Sequence, residues 1–246
     1  MYYGNYFIAG HTVEICSVCS DVHELCSDYR CPQAADISVN ITQADIDEER
    51  RRSDRAALKA GKIPYNFSDG YLETLAVYRR IAENMVRYDT LLIHGSAIAV
   101  DGTAYMFTAK SGTGKSTHTA LWRQMFGDRA VMVNDDKPLV QLCSEGAVVY
   151  GTPYNGKHRL GENTSAPLKA ICILERGEEN AIRRLTKAEA YPTILQQTYR
   201  PRDAKGLAEA LALLDRLLSN ICIYRLRCNM DQDAARVSFE GMNAPE

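Results

Sequence analysis

The sequence lacks the features that mark membrane, secreted and nucleic-acid-binding proteins. No apolar run reaches bilayer-spanning length, and the start, Met-Tyr-Tyr-Gly-Asn-Tyr, lacks the basic region and apolar core of a secretory signal. Charge of one sign is not in excess, because 29 basic and 31 acidic residues leave a net charge of −2. We therefore expect a cytoplasmic protein that binds neither nucleic acid nor membrane. Internal repeats and low-complexity segments are absent as well.

The remaining composition is that of an ordinary globular protein. Of 246 residues, 46% are hydrophobic and 24% are charged, which suffices for one large domain or two modest ones. Among eight cysteines, Cys16, Cys19, Cys26 and Cys31 lie close together in the chain. Zinc binding is an alternative for these four. Their short middle spacer does not match common zinc patterns, so we favour incidental cysteines in a small β-rich region.

Hydrophobic patterning predicts a small β-rich N-terminal region at 1–67 and an α/β core at 68–246. In the first region, three short apolar runs predict strands, and the charged segment 44–60 predicts a solvated helix or linker. A turn-rich segment at 61–70 marks the boundary. In the core, we expect a strand at 91–100 joined to one at 103–108 by an Asp101-Gly102 hairpin. The other predicted core elements are helices at 71–87, 117–126, 187–199 and 207–218, and strands at 130–133, 139–143, 147–150, 168–174 and 221–226.

The segment 109–117, Ala-Lys-Ser-Gly-Thr-Gly-Lys-Ser-Thr, is typical of a phosphate-binding loop between a strand and a helix. Glycines at 112 and 114 let backbone N–H groups converge on phosphate oxygens. Lys115 adds a positive charge, and the Ser116 hydroxyl is suited to Mg²⁺. The predicted nucleotide-binding residues here are Lys110, Ser111, Gly112, Thr113, Gly114, Lys115, Ser116 and Thr117. Ala109 stands where the usual pattern begins with a glycine. The loop tolerates an alanine there only if the local φ is negative.

Asp135 and Asp136 follow the next predicted strand, about one crossover helix after the loop. Both carboxylates reach the same site only if the chain turns there, because successive side chains on a strand face opposite ways. One can then support Mg²⁺ while the other accepts a proton from an attacking hydroxyl. A polar strand end that caps a turn is the structural alternative.

These motifs, together with Ile93-His94-Gly95-Ser96-Ala97, resemble the HPr kinase/phosphorylase catalytic domain over about residues 70–175. The resemblance implies a PEP carboxykinase/HPr kinase-like P-loop core, with a mixed sheet flanked by helices. It also implies ATP and Mg²⁺ as cofactors, catalytic roles for His94, Lys115, Asp135 and Asp136, and phosphoryl transfer to a serine hydroxyl. Ser116, Asp135 and Asp136 are the implied metal ligands. HPr kinases assemble into oligomers, so the resemblance adds a homo-oligomer as an expectation.

Two departures from that family bear on the substrate. Thr117 stands where the family usually has Glu, and the segment before residue 70 is short and unlike the family's N-terminal domain. The expected acceptor is therefore a hydroxyl of a protein, peptide or small molecule, and not HPr in particular. A catalytically inactive nucleotide-binding module is the main alternative, and a carboxykinase-like enzyme ranks below it.

Three further features have two interpretations each. His94 either handles protons and phosphate or makes a structural hydrogen bond. The loop at 151–161 either supplies Lys157 and Arg159 to the transferred phosphoryl group or is a solvated hairpin. We expect His118 to cover the first turn of the helix, with contact to base or ribose as the minor alternative.

Overall fold

The computed structural model describes residues 1–144, 146–156 and 158–244. It divides into two compact units, Met1–Asn84 and Met85–Glu246. The division falls at the end of a helix, whereas the sequence placed a boundary in the turn-rich segment before that helix. Within the described ranges, no helix combines the length and the apolar character needed to cross a membrane.

The first unit contains a three-stranded sheet and three helices. Its strands are β1 (Tyr2–Ile8), β2 (His11–Ser17) and β3 (Ile37–Asn40), with β1 antiparallel and β3 parallel to β2. Its helices are α1 (Asp21–Leu25), α2 (Gln43–Lys59) and α3 (Asp69–Met85). The charged segment 44–60 is thus helical, and its first turn is capped where the Asp45 carboxylate accepts from the Thr42 N–H at 3.0 Å.

The second unit is built on a mixed sheet of nine strands in the described chain. These strands are β4 (Thr90–Leu92), β5 (Ser96–Val100), β6 (Thr103–Thr108), β7 (Ala130–Asn134), β8 (Leu139–Cys143), β9 (Gly146–Tyr150), β10 (Ser165–Arg176), β11 (Ala181–Arg184) and β12 (Cys222–Cys228). Its order is β4-β8-β9-β10-β6-β5-β7, with β12 also pairing with β10 and β11. The long strand β10 runs parallel to β6 and β12 and antiparallel to β9.

Helices cover both faces of this sheet. They are α4 (Lys115–Phe126), α5 (Lys187–Gln197), α6 (Ala204–Asn220) and α7 (Asp233–Asn243). Neighbouring residues of β6 divide between two apolar clusters, because side chains alternate along a strand. Met106 packs with α5 and α6, whereas Phe107 packs with Trp122 of α4 and Ala235 of α7. The fold is therefore mixed α/β, as the sequence predicted, although α7 was not predicted.

The predicted continuous strand 91–100 was wrong, because the chain breaks between β4 and β5. At the break, the His94 N–H donates to the Gln197 carbonyl at 2.8 Å, and the Gly95 N–H donates to the Asp136 carbonyl at 3.0 Å. A Cβ on Gly95 would lie 2.9 Å from the Phe107 carbonyl oxygen. Only glycine therefore fits at this position, where the chain passes close to the backbone of β6. At this break, His94 thus bonds to the end of α5, and Gly95 bonds to the turn that contains Asp136.

Candidate active site

The glycine loop after β6 contains two glycines with positive φ. Gly112 and Gly114 have φ values of +80° and +123°, and a Cβ built on either would meet nothing within 4 Å. The loop ends where α4 begins, so the unpaired N–H groups of a helix start face the same region. Ala109 is 2% exposed within an apolar cluster, and its φ is not positive. Alanine is therefore compatible with this backbone.

Lys115 folds back over the loop. Its Nζ donates to the Ala109 carbonyl at 3.2 Å, and the residue is 9% exposed. Burial lowers the pKa of Lys115, and the negative charge of Asp136 partly offsets that effect.

An arginine that the sequence did not suggest braces the loop from the end of β10. The guanidinium of Arg176 donates to the Gly112 carbonyl at 2.6 Å and to the Thr113 carbonyl at 3.4 Å. Occupying these carbonyl oxygens holds the loop peptides in one orientation. The only local sequence signal is a cation at a strand end, which is too common to identify it.

The two aspartates lie in a tight turn after β7 that Asn134 organises. The Asn134 Oδ1 accepts from the Asp136 N–H at 2.9 Å and from the Lys137 N–H at 2.7 Å. The chain therefore turns at Asp135 and Asp136, as is required for both carboxylates to reach one site. Asp135 is 7% exposed, and its Oδ1 accepts from the Gly156 N–H at 2.5 Å. Asp136 is more open, and its carboxylate lies 3.3 Å from the His94 ring and 3.6 Å from the Lys137 ammonium group.

His94 connects Asp136 to the end of α5. Its Nε2 lies 3.3 Å from the Asp136 Oδ1, and its Nδ1 lies 2.7 Å from the Gln197 Oε1. Burial opposes ionisation of Asp136, but the His94 hydrogen bond and the charges of Lys137 and Lys115 outweigh it and lower its pKa. The Asp136 carboxylate is therefore ionised at neutral pH.

The structure brings some predicted residues together and leaves others apart. Asp136 and His94 come within 3.3 Å of each other, and the His94 carbonyl accepts from the Thr108 hydroxyl just before the glycine loop. Lys110, Ser111, Ser116 and Thr117 are exposed on the loop and first helical turn. The Arg159 side chain is exposed, with no described contact to this group, and Lys157 lies outside the described residues.

A cavity of about 480 Å³ lies beside the loop. It is lined by the loop glycines and the start of α4, by the ends of β10 and β12, and by apolar side chains including Leu121, Leu174 and Met230. His118 also lines this cavity and is 3% exposed. Burial lowers the pKa of His118 to about 4, so its ring is neutral at physiological pH.

Metal ligands are sparse in the described ranges. No group of three or more His, Cys, Asp or Glu residues forms a self-contained metal site there, and the four N-terminal cysteines are free thiols. The candidate site instead offers oxygen donors, the Ser116 hydroxyl and the two carboxylates. Mg²⁺ in triphosphate sites uses one or two carboxylates together with water and phosphate oxygens. This donor set therefore fits Mg²⁺.

No protein-family model matches the chain, and no curated protein matches its sequence. Among solved structures, the Hpr(Ser) kinase/phosphatase from Coxiella burnetii is similar to this chain at 9% sequence identity and a TM-score of 0.35. The match covers 60% of this chain and 91% of that one. With so low a TM-score, the similarity carries no weight for activity, which has to follow from the chain's own residues.

Proposed function

We propose that this protein transfers the terminal phosphoryl group of ATP to a hydroxyl of a protein, peptide or small molecule, as HPr kinase-like enzymes do. The observation that carries the proposal is the pair of Asp136 and His94, whose side-chain atoms lie 3.3 Å apart. The pair adjoins the start of the glycine loop, because the His94 carbonyl accepts from the Thr108 hydroxyl at 2.8 Å. A phosphate cradle alone suits many nucleotide-binding proteins. A carboxylate paired with a histidine next to that loop suits proton removal from an acceptor hydroxyl.

The triphosphate would lie on the loop, with its base in the adjoining cavity. Backbone N–H groups of the loop and the start of α4 bind phosphate oxygens, and Lys115 adds the positive charge. Ser116 and Asp135 would hold Mg²⁺, which neutralises phosphate charge when bound. Asp135 suits this role because its other oxygen is already anchored to Gly156.

Asp136 is the proposed general base. Its ionised carboxylate accepts the proton of the acceptor hydroxyl while the oxygen bonds to phosphorus and the bond to the ADP oxygen breaks. His94 keeps the carboxylate in place, and α5 in turn positions His94 through Gln197. Because its pKa is lowered, Asp136 is already ionised throughout the neutral pH range.

The test is transfer of labelled phosphate from ATP to acceptors in a cell extract and to serine-containing peptides and free serine. We expect Asp136→Asn to slow transfer by about 10²–10⁴-fold while ATP still binds, since a general base contributes about that much. Lys115→Ala should weaken ATP binding as well as transfer.

Asp233→Asn is the matched control, because Asp233 pairs with Arg236 on the surface of α7, outside the site. Full transfer by either the Asp136 or the Lys115 variant would contradict the proposed roles. Tight ATP binding without a labelled product from any acceptor class would instead favour the inactive nucleotide-binding module.

A further inference from the structure

The turn that contains Asp135 and Asp136, here called the aspartate turn, is held to the break between β4 and β5 by two hydrogen bonds. The Gly95 N–H donates to the Asp136 carbonyl at 3.0 Å. Ser96, the first residue of β5, is fully buried, and its hydroxyl donates to the Asp135 carbonyl at 3.0 Å. Both bonds end on backbone carbonyls, which can only accept, so their direction is fixed. The backbone of the turn is therefore attached to the segment that also carries His94.

A third hydrogen bond joins the same segment to the glycine loop. Thr108, the last residue of β6, is fully buried, and its hydroxyl donates to the His94 carbonyl at 2.8 Å. The loop begins at the next residue. Because β5 and β6 are antiparallel, with Ser96 opposite Phe107, the start of β5 and the end of β6 lie side by side. Thr108 therefore links the loop directly to the residue whose ring lies beside Asp136.

Strand pairing does not by itself fix the aspartate turn. The pairing of β5 with β7 changes register next to the turn, because Ala97 lies opposite Asn134 whereas Ile98 lies opposite Met132. The extra residue of β7 lies directly before Asn134, and such a bulge interrupts the regular ladder of backbone hydrogen bonds. Bonds from outside the ladder, such as that of the Ser96 hydroxyl, therefore hold the turn in place.

Phosphoryl transfer needs the base and the phosphate at matched positions. The Asp136 carboxylate has to reach the acceptor hydroxyl while that oxygen stands in line with the phosphorus atom. The glycine loop sets the position of the phosphorus, and the aspartate turn sets the position of the carboxylate. A misplacement of about 1 Å between such groups can slow a reaction about 10²-fold. A group that fixes the distance between loop and turn therefore affects the rate without touching a substrate.

We propose that Thr108 and Ser96 are positioning residues, whose hydroxyls fix the Asp136–His94 pair relative to the glycine loop. Both residues are fully buried, so neither hydroxyl is placed to contact a substrate. Thr108 acts through the His94 backbone, and Ser96 acts through the backbone of the aspartate turn. The inference rests on the proposed function, because the position of Asp136 affects transfer only if this residue takes a proton from an acceptor.

The test compares Thr108→Val, which loses the hydroxyl, with Thr108→Ser, which keeps it. The rate of labelled phosphate transfer is measured at saturating ATP, with the acceptor that the wild-type protein labels best among extract proteins, serine-containing peptides and free serine. Thr108→Val should slow transfer about 10- to 100-fold, as expected for a base displaced by up to about 1 Å. Thr108→Ser should retain most of the wild-type rate. The calorimetric Kd of ATP should stay unchanged in both variants, because the hydroxyl bonds to His94 and not to the loop.

Thr90→Val is the matched control for a loss of stability. Thr90 is likewise a fully buried strand threonine, and its hydroxyl also donates to a backbone carbonyl, that of Tyr88 at 2.9 Å. Thr90→Val should lower the Tm about as much as Thr108→Val does, yet transfer phosphate at the wild-type rate. Equal losses of transfer in these two variants would mean that general stability is responsible, and would overturn the inference.

Two further variants test the positioning role by other means. Ser96→Ala removes a single atom, and it should slow transfer with an unchanged Kd for ATP even if Thr108→Val is too unstable to assay. In a His94→Gln background, Thr108→Val should add less than its effect in the wild-type protein, because residues that act as a unit are not additive. Losses that multiply fully would mean that Thr108 does not act through His94, and would contradict the inference.

The remaining outcomes separate the inference from the proposed function. Full transfer by folded Thr108→Val or by folded Ser96→Ala would refute the inference and leave the proposed function intact. A weaker Kd for ATP with an unchanged rate at saturation would also refute it, because the hydroxyl would then support the loop and not the base. If the wild-type protein labelled no acceptor at all, the proposed function and the inference would fail together.

Discussion

At the residue scale, the sequence indicates the contiguous glycine loop but not the contacts that reach the candidate site from distant parts of the chain. The loop from Gly112 to Ser116 carries its predicted chemistry in consecutive residues, so a local pattern can indicate it. Arg176 contacts Gly112 across 64 residues, and Gln197 contacts His94 across 103. No local pattern indicates such contacts, because they depend on which strand and helix ends the fold brings together.

Arg176→Ala should weaken triphosphate binding about tenfold. Its guanidinium donates to the Gly112 and Thr113 carbonyls and so holds the loop in one conformation. Without it, the triphosphate has to order the loop when it binds, and the free energy of that ordering is subtracted from the binding free energy. Calorimetric Kd values for ATP provide the measurement. Arg227→Ala is the matched control, since this exposed arginine of the neighbouring strand makes no hydrogen bond to the loop in the described structure. Equal losses in both variants would mean that general positive charge, and not bracing, supports binding.

At the element scale, periodicity predicted most helices and strands but missed what interrupts or follows them. The run at 91–100 is apolar throughout, so nothing in its pattern marks the break at His94 and Gly95. The break arises from pairing with a helix end and a turn distant in sequence. Helix α7 was missed although its buried positions, Ala234, Ala235, Ser238 and Met242, recur at helical spacing.

In the first unit, β1, β2 and α1 share a buried histidine that makes their stability pH-dependent. The His23 Nδ1 lies 2.6 Å from the Tyr6 hydroxyl, and its Nε2 lies 2.8 Å from the Ser17 hydroxyl. Burial and the charge of Arg30 lower the pKa of His23, and the opposing charge of Glu73 does not cancel them. Below pH 6.5 the unfolded chain therefore binds a proton that the folded unit resists. The stabilisation is fully present above that pH and is lost as the pH falls.

We therefore expect amide hydrogen exchange in β1 and β2, corrected for intrinsic rates, to report lower stability at pH 5 than at pH 7. His23→Gln should reduce this pH dependence, because the amide does not titrate. Equal protection of these strands at both pH values in the wild-type protein would show that His23 is not the titrating group that matters.

At the scale of the whole molecule, the sequence indicated two regions but not the point at which they divide. Turn residues at 61–70 suggested a boundary, yet α3 belongs to the first unit. Helix α3 has an apolar face of its own, and such a face does not reveal which neighbour covers it. Every residue of the candidate site, by contrast, lies in the second unit.

Ligand binding should therefore stabilise the two units unequally. At an ATP concentration 100 times its Kd, the unit that binds it gains about 2.7 kcal/mol. Hydrogen exchange should slow in β6, at the start of α4 and at the end of β10, where the loop, its helix and Arg176 lie. Amides of β1, β2 and β3 should exchange at the rates of the ligand-free protein, and Lys115→Ala should abolish the effect everywhere. Equal protection of the three N-terminal strands would contradict a site confined to Met85–Glu246. A ligand stabilises only the folded unit whose residues bind it, so the other unit should open as often as it does without ATP.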